Sequence, residues 1–100
     1  MGLIDFPDVV GMFEGAKNAG LEREAANALV SAACSGYLTF LWETGKRKWL
    51  GSEGPALQRT AVAMYITLSR LESKNFLTLT LPKDMLDPDL LSQFQSERMT

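Results

Sequence analysis

Three cations and an aromatic stand consecutively at Lys46, Arg47, Lys48 and Trp49. Such a run can contact phosphates through its cations and stack its indole on a base or on a partner's side chain. It can also be the solvated end of a helix, with the cations near the negative pole and Trp49 folded back over the loop. These four residues are the candidate binding site, for a protein partner or for phosphate.

The remaining polar groups make poor catalysts. Ser31 and Ser35 lack an activating base, because the chain has no histidine and no SxxK-type lysine placement. Cys34 is the one cysteine, which excludes an intrachain disulfide, and without a histidine or a cysteine pair zinc, haem and His-based triads lack their usual ligands or bases. Gly51, Gly54 and Pro55 lack the spacing and the lysine of a phosphate loop. Asp84, Asp87 and Asp89 could hold a hard cation, but an EF-hand's glycine and distal glutamate are missing, and helix capping accounts for the last two. The expectation is a protein that is not an enzyme, with no catalytic residue, no metal and no cofactor.

Charge is unevenly spread. Residues 1–45 carry six acidic and two basic groups, 46–83 seven basic and two acidic, and 84–100 four acidic and one basic. The basic middle can face an anionic partner or pair with the acidic ends. The acidic opening MGLIDFPD lacks the apolar run of a signal peptide, and no apolar run approaches the roughly 20 residues of a membrane span. A cytoplasmic protein without membrane contact is expected.

The elements that must position these groups are helical. One hundred residues support a single domain over 1–100, with a frayed tail at 96–100. A short first helix is expected to follow Asp5 as cap and Pro7 in its first turn, and to stop at Asn18 and Gly20. Residues 21–42 form the long helix. Leu21, Ala25, Leu29, Ala33, Tyr37 and Leu41 make one row, and Ala26, Val30, Cys34, Leu38 and Trp42 the next, together a core face. Ala32, Gly36 and Phe40 form a third row beyond it, the candidate interface of a homodimer.

Gly45 suits the helix end, and Pro55 opens a second strong helix over 56–74 that Asn75 closes. Its Leu57, Ala61, Met64, Leu68 and Leu71 are spaced as a seam for packing on the long helix, across a hairpin. FLTLTL at 76–81 alternates and reads as one short strand, with 2–6, 48–50 or the same strand of a second copy to pair with. Asp87-Pro88-Asp89 starts a last helix. The fold class is therefore mainly α: a small four-helix domain with a central antiparallel helical hairpin and one short β-strand.

Residues 60–83, with LSRLESKNFLTLTL, resemble the recognition helix and first wing strand of winged-helix regulators. That resemblance implies DNA binding through the basic 46–83 segment, with Arg59, Arg70, Lys74 and Lys83 on phosphates. Residues 56–74 carry no glycine-marked turn and offer few base-reading side chains. A regulator that binds a protein partner, of inhibitor, anti-activator or adaptor type and acting as a homodimer, is the first expectation. Nucleic acid is the second.

Overall fold

The computed structural model describes residues 8–99, with 94–99 followed by backbone alone. Among them are four α-helices: α1 (Val9–Asn18), α2 (Arg23–Thr44), α3 (Glu53–Ser73) and α4 (Pro88–Met99), with a 3-10 turn at Lys48–Leu50. The protein is mainly α, and α2 and α3 pack as a hairpin. Among the described residues no helix is long and apolar enough to cross a membrane.

Local chemistry explains where each helix starts and stops. The Asp8 carboxylate accepts the Gly11 amide at 2.9 Å, so Asp8 caps α1 in the place expected for Asp5. Asp5 and Pro7 lie outside the described residues. At the other end Gly20 takes φ +87°, while Gly20 and Leu21 donate back to the Lys17 and Ala16 carbonyls at 2.9 and 3.1 Å. The same reciprocal pair closes α3, where Asn75 takes φ 64° and Asn75 and Phe76 donate to Glu72 and Leu71. Both are left-handed C-terminal caps, filled by the two residue types that tolerate that backbone best.

The core gathers Val30, Cys34, Leu38, Leu41 and Trp42 from α2 with Ala61, Val62, Met64 and Leu68 from α3, closed by Leu77 and Met85. Full burial of a side chain the size of Leu38 contributes roughly 1.5–3 kcal/mol. The α3 seam is as its spacing indicates, with Leu57 and Leu71 partly buried at its ends. The α2 stripe differs from expectation. Leu21, Ala25, Leu29 and Ala33 lie outside, whereas Ser31 and Ser35 are buried. The buried arc has turned toward the serines because residues 77–80 cover them.

That segment also corrects the expected strand. Residues 77–80 are extended and alternate as read, with Leu77 buried, Leu79 partly buried, and Thr78 and Thr80 outward. No strand exists among the described residues, however, and residues 48–50 form the 3-10 turn. Residues 2–6 lie outside the described part of the chain. The backbone donors go to side chains: Thr78 N–H to Ser31 Oγ at 2.9 Å, Thr80 N–H to Ser35 Oγ at 3.0 Å, and Leu79 N–H to Glu72 Oε2 at 2.9 Å. Alternate residues of an extended chain repeat at about 6.6 Å and one i,i+4 step of a helix at about 6 Å, so the two rows match. The helix does the work of a neighbouring strand.

Candidate functional site

The cationic run sits where the chain turns from α2 into α3, and two glycines set that turn. Gly45 has ordinary helical backbone, φ −63°, so its lack of a side chain serves close approach rather than a left-handed cap. A Cβ on Gly45 would stand 2.6 Å from both the Gly54 carbonyl oxygen and Gln58 Cγ, and one on Gly54 would strike the Gly45 carbonyl. Gln58 adds an Nε2–H bond to the Trp42 carbonyl at 3.4 Å. The hairpin end is a tightly joined platform.

Of the four candidate residues, the structure separates Lys46 from the rest. Its ammonium lies 2.6 Å from Asp84 Oδ2, 3.4 Å from Glu43 Oε1 and 5.8 Å from the Trp42 ring centroid. Asp84 Oδ2 also accepts the buried Trp42 indole N–H at 2.9 Å. The bond from Lys46, then that from Trp42, holds the Asp84 carboxyl below the usual carboxylate range. The bond to Asp84 in turn raises Lys46. Lys46 is thus a clamp between the hairpin end and the turn that carries Asp84. Sequence reading took Trp42 as core and missed this bond, since nothing local relates residues 42 and 84.

Arg47, Lys48 and Trp49 point outward. Trp49 is 77% exposed, so it does not fold back over the loop, and neither cation pairs with a carboxylate among the described residues. Arg59, Arg70, Lys74 and Lys83 are exposed as well, but α3 runs unbroken from Glu53 to Ser73 and residues 77–80 lie along α2 instead of projecting as a wing. The aspartates do not converge: Asp84 is held by Lys46 and Trp42, while Asp87 Oδ1 accepts the Asp89 amide at 3.0 Å at the start of α4. No group of three acidic, cysteine or histidine side chains among the described residues could hold a metal ion.

The candidate interface row is on the surface. Ala32 and Gly36 are exposed and Phe40 is 64% exposed, with Leu29 beside them at 54%. A Cβ on Gly36 would meet nothing within 4 Å. Between α1 and α2 lies an apolar groove of about 300 Å³, with Met12, Gly15 and Ala19 on one side and Leu29 and Ala33 on the other. The groove was not legible in the sequence, because Leu29 and Ala33 share the helical spacing of true core residues. Comparison with protein-family models, with curated proteins and with solved structures finds no match to this chain.

Proposed function

We propose that this chain is a small non-enzymatic regulator that binds and modulates a protein partner, as an inhibitor, anti-activator or adaptor, and that it acts as a homodimer. The observation that carries the reading is Trp49, 77% exposed on a turn fixed by the Gly45–Gly54 approach and the Lys46–Asp84 ion pair. Tryptophan is seldom left in water, and together with arginine it dominates the energetic centres of protein interfaces. Arg47 and Lys48 beside it suit a partner surface with an apolar pocket and an acidic rim. Holding the turn rigid lowers the ordering cost of docking.

Affinity capture by the wild-type chain, repeated with Trp49→Ala and with Arg47→Glu/Lys48→Glu, tests the assignment. Each variant is expected to keep the wild-type circular dichroism spectrum and to lose the captured protein, Trp49→Ala by about 2 kcal/mol or more. Capture unchanged in both variants would remove the turn from the site. Tight, salt-steep binding to duplex DNA, lost in the charge-reversal variant, would replace the protein partner with nucleic acid.

A further inference from the structure

We propose that two copies of the chain pair through α2 in antiparallel, two-fold register, each placing Phe40 over the α1–α2 groove of the other. This rests on the homodimer reading above and gives it a geometry. Leu29, Ala33, Gly36 and Phe40 are spaced 4, 3 and 4, which sets them on one face of α2, and all four are exposed. The spacing is palindromic. A two-fold axis midway between Cys34 and Ser35 brings Phe40 opposite Leu29 of the partner subunit and Ala33 opposite Gly36 of the partner subunit. A two-fold interface between identical chains requires such self-complementarity.

Small therefore meets small at the centre and large meets large at the flanks. The two axes can approach to about 8 Å at a crossing of about 20°, the geometry of heptad-spaced seams. This gives Gly36 a reason to exist. A glycine inside a helix costs about 1 kcal/mol relative to alanine, and among the described residues nothing beyond the backbone of its own helix and its chain neighbours comes within 4 Å of where its Cβ would stand.

The groove supplies the second half of the fit. Leu29 and Ala33, the residues that face the partner's Phe40 and the partner's Gly36, also form one wall of the apolar groove of about 300 Å³. A phenyl ring fills a cavity of roughly 150 Å³, so the groove has room for the partner's Phe40, a side chain left 64% exposed by its own chain.

Charge agrees with the antiparallel direction. Glu22 stands just before α2, and Lys46, Arg47 and Lys48 follow just after it, so antiparallel pairing brings Glu22 to the helix end that carries Arg47 of the partner subunit. Both are exposed. Arg23 comes to the same end as Lys46 of the partner subunit, a cation whose charge Asp84 and Glu43 already meet within its own chain. The acidic entry of each α2 thus lies on the basic exit of the other.

Sedimentation equilibrium and directed cross-linking test this, the latter with Leu29→Cys and Phe40→Cys proteins, each also carrying Cys34→Ala. Along one helix residues 29 and 40 are about 16 Å apart, well beyond the roughly 7 Å Cα limit for a disulfide. The two variants mixed under oxidation are expected to give a linked dimer, while either variant alone does not. Phe40→Glu in the otherwise native chain is expected to raise the dimer dissociation constant about a hundredfold or more with unchanged helicity. A dimer in which the single variants link as well as the mixture, or in which nothing links, overturns the antiparallel α2 register and leaves the homodimer reading standing. A chain that stays monomeric at every concentration overturns both.

Discussion

The Ser31 hydroxyl accepts the Thr78 amide at 2.9 Å across 47 residues of sequence, and one turn further along α2 Ser35 accepts Thr80 at 3.0 Å. These two bonds tie the extended segment to the central helix without a sheet. Replacing Ser31 by Ala removes the acceptor and is expected to cost about 0.5–1.5 kcal/mol, with Ser31→Ala/Ser35→Ala roughly twice that. Amide exchange gives the sharper readout. Thr78 and Thr80 should be protected in the wild type and lose protection selectively in the double variant, with Leu79, held by Glu72, less affected. Fast exchange at both positions in the wild type would show that the bonds do not persist in solution.

The pattern of what the sequence revealed follows from these contacts. Both long helices, the hairpin and the α3 seam are set by spacing within a dozen or so neighbouring residues, and they were legible. So was the alternation of FLTLTL, since period two reports which side of an extended chain is buried and Leu77 is indeed buried. The same alternation does not say what satisfies the backbone, and two serines were unforeseeable partners because buried serine carries no periodic mark. Leu29 and Ala33 misled for the opposite reason. Their spacing is that of a core row, and only the position of residues 77–80 on α2 turns that row outward. At the site, Lys46 was grouped with Arg47 and Lys48 by adjacency, and the Asp84 carboxylate that removes it is 38 residues away in the chain.

Glycines 45 and 54 make a second prediction. Either one changed to alanine pushes a methyl against the opposing backbone. Backbone cannot rotate away as a side chain does, so each substitution is expected to cost about 1–3 kcal/mol. Urea midpoints of Gly45→Ala and Gly54→Ala should both fall. Midpoints equal to wild type would show that the turn between α2 and α3 is looser than the Gly45–Gly54 approach requires.

Cys34 is fully buried within the core, and burial pushes its thiol pKa up. Both effects suppress the thiolate that reacts. Alkylation by iodoacetamide at pH 8 should run on the order of a thousandfold or more slower than in urea, because access requires opening of the core. A native-state rate near that of the unfolded chain would mean that the α2–α3 interface opens readily.

Asp84 and Lys46 give a pH dependence whose sign is fixed. The Asp84 carboxyl is held low by the Lys46 ammonium and the Trp42 indole. A carboxyl with a lower pKa in the folded chain adds stability above its unfolded value, near about 3.9, and that stability is lost as pH falls through the lower folded value. Lys46 is raised, chiefly by its bond to Asp84. Its contribution is complete below about 10.4 and is lost as pH rises through the folded value. The clamp is therefore strongest across the neutral range and weakens at both extremes. Both side chains are roughly half exposed, so salt should screen the effect and keep it modest. Urea midpoints of the wild type should fall from pH 6 to pH 3 by more than those of Asp84→Asn, and 1 M salt should narrow the gap. In a Trp49→Phe background, where Trp42 is the sole indole, its emission should shift over the same acid range in the wild-type clamp and not in Asp84→Asn. Parallel acid profiles for the two proteins would remove Asp84 as the residue that ties Trp42 and Lys46 to the turn before α4.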